Sequence, residues 1–156
     1  NDHPALYEMW QATPGITIRN ADTFEGFVSF LKRNPGLSFV VENQGQIVGG
    51  ILGGHDGRFG SIHHLVVLPE FRKQGIGNRL VKFVTETAIQ RGNTSMNLEI
   101  LSPKYWEHKE KVFLKRWYMS MGYQLIKEVD FKDYYPDHMT FMRCELVFSL
   151  YKKSLI

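Results

Sequence analysis

The stretch from Val67 to Leu80 constrains this chain most. An apolar run, Leu65-Val66-Val67-Leu68, reads as a buried strand; it passes through Pro69 into a basic loop with glycines at 75 and 77, and the pattern then turns helical, with Leu80, Val81, Val84 and Ala88 as its apolar stripe. The first N–H groups of a helix have no acceptor within it and lie at the positive end of its dipole. A strand that opens into a helix in this way suits a phosphate. Gly75 and Gly77 would let a pyrophosphate approach the main chain, and Arg72, Lys73 and Arg79 add countercharge. Two familiar phosphate motifs fail. A G-x-G-x-x-G fingerprint starting at Gly75 needs glycine where Leu80 stands, and the Gly-Lys-Ser/Thr of a Walker loop is absent.

The 156 residues are read as one domain over 1–156, with enough chain to bury a core. Nineteen Lys and Arg against 16 Asp and Glu give a net charge of +3. This falls short of the basic stripe of a nucleic-acid binder, so no nucleic-acid partner is expected, while a small anionic ligand fits. Cys144 is the single cysteine, which excludes an internal disulfide and a thiolate zinc cluster and fits a cytoplasmic setting. No apolar stretch approaches the ~18 residues of a membrane helix, and no membrane partner is expected. Asn93-Thr94-Ser95 matches a glycosylation sequon, read as chance.

Periodicity predicts a short helix over 3–12, ended by Pro14-Gly15, and a second opened by Asp22 and Glu25 in a capping-box spacing. Phe24, Phe27, Val28 and Leu31 form its stripe, and Asn34-Pro35-Gly36 stops it. Strands follow over 37–42 and 46–52, joined by Asn43-Gln44-Gly45, and a turn over His55–Gly60 leads to a third over 61–68. After the helix that ends at Gly92 come a strand over 96–101, a helix near 108–121 ended by Gly122, and two strands near 123–131 and 139–148. The class is α+β: a mixed, mainly antiparallel central sheet flanked by helices.

Arg72-Lys73-Gln74-Gly75-Ile76-Gly77, preceded by Val67 and Pro69, resembles the R-x-x-G-x-G acetyl-CoA signature of the GNAT superfamily of N-acetyltransferases. Tyr118-Met119-Ser120-Met121-Gly122-Tyr123 is similar to the family's Y-x-x-x-G-[FY] segment, and Gly53–Gly60 to a glycine-rich turn of many bacterial members. The predicted elements follow the family order over nearly the whole chain. Three departures stand out: the first family strand is missing ahead of the first helix; Lys111 stands where many members carry an Asn for the pantetheine arm; and 147–156 reads as a C-terminal extension.

The resemblance implies acetyl-CoA as cosubstrate, an amine acceptor and no metal. It places the cofactor on Arg72, Lys73, Gln74, Gly75, Ile76, Gly77, Asn78 and Arg79, and points to the Val67 N–H, with Leu65 and Val66 beside it, as the group that polarises the acetyl carbonyl. Tyr118 would protonate the coenzyme thiolate; the alternative is one more aromatic in the core. For the base, His63 and His64 alternate on a strand, so only one faces the acceptor. Relatives with a histidine at the matching position favour His63, set against a strand histidine that merely packs; Glu99 is a second candidate. Asp56 and Arg58 are either acceptor contacts or an Asp-Gly turn with a solvated Arg. Acceptor choice is expected to lie in loops near 53–60, 102–110 and 132–138. Phe148, Leu150 and Tyr151 would serve either a homodimer contact or the core. The rival to an enzyme is a non-catalytic acyl-CoA-binding module of the same fold.

Overall fold

In a computed structural model of the protein, residues 2–16, 18–136 and 144–156 are described. They fall into two units, Asn1–Thr94 and Ser95–Ile156.

The first unit is organised by its middle strand. β1 (Phe39–Asn43), β2 (Gln46–His55) and β3 (Gly60–Val67) form an antiparallel meander. Gln44 and Gly45 both have positive φ, 50° and 82°, as a tight hairpin turn of matching twist requires. Glycines on both faces of β2 admit helices at close range. A Cβ on Gly53 would lie 2.3 Å from the Leu37 carbonyl oxygen and 2.8 Å from Val84 of α3 (Ile76–Gln90), and one on Gly50 would lie 2.5 Å from Leu6 of α1 (His3–Ala12). With α2 (Phe24–Arg33), α1 covers the face that carries Leu52 and Val66, and Leu6, Met9, Trp10 and Phe27 complete that core. The strand thus extends through His55, further than its apolar run predicts, and only 56–59 turn.

One other sequence expectation shifts here. α2 is capped by Thr23, whose hydroxyl accepts from the Gly26 N–H at 3.3 Å. Asp22 instead closes a 3-10 turn, Asn20–Asp22, and is buried. At the end of α3 the side chain of Asn93 is buried and donates to the Ala88 carbonyl at 3.0 Å, a structural use of the sequon residue.

In the second unit, β6 (Leu146–Ser154) pairs antiparallel with β4 (Ser95–Pro103) on one side and β5 (Gln124–Asp130) on the other. α4 (Lys109–Ser120) precedes β5, and the short α5 (Phe131–Tyr134) follows it. The final strand is displaced from its expected place. The predicted span 139–148 begins among 137–143, outside the described residues, and the residues read as an extension form β6 itself. Lys152 and Lys153 disguised it, because strand residues that face solvent need no apolar side chain: Lys152 is exposed, and the Lys153 ammonium sits 6.0 Å from the Tyr123 ring centroid. Phe148 and Tyr151 are buried, Phe148 against Phe131 at 5.5 Å between centroids, so the core reading of these aromatics holds.

Candidate functional site

The loop between β3 and α3 is folded by its own residues. Pro69–Phe71 form a 3-10 turn, and the Phe71 and Arg72 N–H groups donate to Leu68 and Pro69 carbonyls. Arg72 Nε donates to the Val67 carbonyl at 2.9 Å, and Gln74 Nε2 to the Glu70 carbonyl at 3.3 Å. Arg72, expected only as countercharge, therefore also ties the loop to the end of the strand. Lys73 and Gly75 take left-handed conformations, φ 59° and 78°. At Gly75 this dihedral, and not crowding, calls for glycine, because no atom lies within 4 Å of a Cβ placed there. Gly75 is the N-cap of α3, and the first helical bond is Arg79 N–H to the Gly75 carbonyl at 3.0 Å. Ile76 is buried against β2, whereas Lys73, Gln74, Asn78 and Arg79 are exposed. The first turn contains no acid. An anion here would meet backbone N–H groups, a favourable dipole and two nearby cations.

The strand leading into that loop carries an irregularity that the sequence does not announce. Its end pairs Gly50 with Val66 and Gly49 with Val67, whereas its start pairs Leu52 with His63, so Ile51 opposes two residues, His64 and Leu65. This is a β-bulge, with His64 at φ 43°. The bulge cancels the alternation expected of the two histidines. His63 lies edge-on to Phe30 of α2 at 5.8 Å, and His64 lies 4.9 Å from Trp10 of α1, so both face the α1–α2 side. His64 Nε2 donates to Asp22 Oδ1 at 2.6 Å, and Asp22 Oδ2 accepts from the Arg19 N–H at 2.8 Å.

His63 Nε2 is 3.0 Å from Ser61 Oγ, and solvent reaches the ring. Desolvation by the packed surroundings, with His64 and Arg19 nearby, holds its pKa below the ordinary histidine value, against the opposing pull of Asp22. Beyond the bulge, the Leu68 N–H donates to the Val48 carbonyl at 2.9 Å. Antiparallel alternation then sends the Val66 N–H toward β2 and the Val67 N–H away from it. Of the three strand residues expected at the cofactor, Val67 has its N–H directed away from β2, Val66 has its N–H directed toward β2, and Leu65 lies in the bulge.

In the second unit, Tyr118 is on the last turn of α4, buried, with Trp117 at 4.8 Å and Tyr123 at 5.5 Å between ring centroids. The Met121 and Tyr123 N–H groups both return to its carbonyl as the chain turns through Gly122. Burial pushes the phenol pKa well above its ordinary value, and Tyr123 adds to the rise. Lys111, in the first turn of α4, has a lowered pKa because it is desolvated, partly offset by Glu110. Glu99 is an exposed residue of β4, opposite Leu150. Asp56 is occupied locally: its Oδ1 accepts from the Arg58 and Phe59 N–H groups at 2.8 Å each, as an Asx turn does. Among the described residues no group of three or more His, Cys, Asp and Glu is arranged to hold a metal, and no helix is long and apolar enough to cross a membrane. The Asp22–His64 contact, 42 residues apart, escapes sequence reading because no spacing announces it.

An antiparallel meander that passes through a left-handed glycine loop into a helix gives an α+β arrangement with a loop suited to an anion. The sequence profile described as the acetyltransferase (GNAT) family matches residues 3–109, and the chain belongs to that family. An acetyltransferase of Pectobacterium atrosepticum is 40% identical over 100 residues, 64% of this chain and 70% of that protein. Several further bacterial acetyltransferases are matched over about half their length. Among solved structures, the ribosomal-protein-S18-alanine N-acetyltransferase of Escherichia coli aligns with 99% of this chain and 88% of its own at TM-score 0.71 and 17% identity. An aminoglycoside 6'-N-acetyltransferase complexed with coenzyme A aligns with 99% and 91% at TM-score 0.70 and 16% identity. At these identities the structural likeness concerns the fold.

Proposed function

We propose that the protein is an acetyl-CoA-dependent N-acetyltransferase that moves an acetyl group to a primary amine of a small molecule, an amino acid or a protein. The observation that carries this reading is the left-handed Gly75 at the acid-free start of α3, between Lys73 and Arg79. The backbone there and these two cations would take the coenzyme diphosphate. Support comes from family membership and from fold relatives that are named N-acetyltransferases, one complexed with coenzyme A.

In this reading the amine nitrogen bonds to the thioester carbonyl carbon and the C–S bond breaks. The Val67 N–H donates to the carbonyl oxygen as its charge grows, an effect worth about 3–4 kcal/mol for an oriented donor. His63, or Glu99 as the second candidate, takes the proton of the attacking amine. Tyr118, kept protonated by its burial, gives a proton to the leaving thiolate. The protein incubated with acetyl-CoA and a panel of primary amines should release free thiol and yield a product 42 Da heavier with at least one of them. Bound coenzyme without turnover on any amine would favour the acyl-CoA-binding module instead.

A further inference from the structure

The bulge in β3 is held by a contact that the reaction as proposed does not use. A residue other than glycine at φ 43° is strained, so something must hold His64 there. Its imidazole is fixed by Asp22 at 2.6 Å and packs on Trp10. Asp22 is itself anchored three ways, by the Arg19 N–H at 2.8 Å on Oδ2, by His3 Nε2 on its carbonyl at 3.0 Å, and by its own N–H to the Arg19 carbonyl at 2.9 Å. A buried, fully engaged carboxylate therefore reaches across 42 residues to the one irregular residue of the strand.

The register shows what depends on that residue. Before the bulge the pairing runs Leu52 with His63; continued without it, Val67 would face Val48, whose carbonyl now accepts from Leu68. The Val67 N–H would turn into the sheet, and Val67 would exchange faces. We propose that Asp22 and His64 are positioning residues: their contact keeps residue 64 left-handed, and the bulge so fixed aims the Val67 N–H out of the meander. The inference rests on the transferase reading for its consequence in turnover, but the clamp itself is testable without it.

His64→Val places a β-branched residue where a left-handed dihedral is needed, while His64→Asn tolerates that dihedral. In His64→Val, kcat should fall roughly 10- to 100-fold, as for a misplaced reacting geometry. The amide resonances of Leu65, Val66 and Val67 should move, and Val67 should gain protection from hydrogen exchange. His64→Asn should restore most of kcat and the wild-type amide pattern, and Asp22→Ala should resemble His64→Val. If His64→Val does not fold, Asp22→Ala decides by the same readouts. Wild-type kcat and wild-type Val67 exchange in the folded His64→Val or Asp22→Ala variant would overturn the clamp, as would an equal loss in His64→Asn and His64→Val. If the wild-type protein acetylates no amine, the transferase reading fails, and the amide resonances alone decide the clamp.

Discussion

In the proposed reaction, single residues set the protonation states on which transfer depends. Tyr118 stands out in the sequence because its six-residue motif includes the glycine that ends its helix, and its burial favours the protonated phenol that the proposed donor role needs. Tyr118→Phe should lower kcat by about 10²-fold, in the usual range for loss of a general acid, and leave acetyl-CoA affinity near wild type; an unchanged kcat would remove it from the mechanism. His63 has a pKa below its ordinary 6.5, so the neutral base prevails at pH 7 and is lost only as pH falls through that lowered value. The acid limb of kcat/KM that stays fixed when acceptors of different amine basicity are compared should therefore lie below pH 6.5 and disappear in His63→Ala. A fixed limb above pH 6.5 would point to another base. That both histidines share a face was not legible, because a bulge depends on a partner outside the strand, here Asp22.

At the scale of elements, local pattern reads helices well and strand limits poorly. α1 matches its expected span because Pro4 and Pro14 bracket it, but β2 continues through Gly53 and Gly54, where the sequence shows turn residues. Those glycines are there for tertiary reasons: the Leu37 carbonyl and Val84 leave no room for a side chain at 53. Gly53→Ala should destabilise the protein by about 1–3 kcal/mol, as overpacking does, read as a lower midpoint of denaturant unfolding. The loop before α3 permits a sharper comparison. Gly75→Asn keeps access to the left-handed region, and Gly75→Asp adds a negative charge to a similar shape. Both should fold, and acetyl-CoA should bind far more weakly to the aspartate variant by calorimetry. Equal affinities in the two would show that charge at this position faces no diphosphate.

For the molecule as a whole, the strand–loop–helix signature and the Tyr118 motif led to the family in advance of the structure, because each is short, local and chemically constrained. The final strand did not follow, since its polar face offers no periodicity distinct from a solvated tail. The loops proposed to choose the acceptor were not legible, because no local rule supplies a loop's shape. The central claim is that the loop from Arg72 to Arg79 holds acetyl-CoA, and thermal unfolding of the purified protein with and without the coenzyme tests it most directly. At ~100 times its Kd a ligand adds about 2.7 kcal/mol, which should raise the midpoint by several degrees in a chain of this length. The account predicts that rise, and its loss in Gly75→Asp; a folded wild-type protein whose midpoint does not move with saturating acetyl-CoA would contradict it.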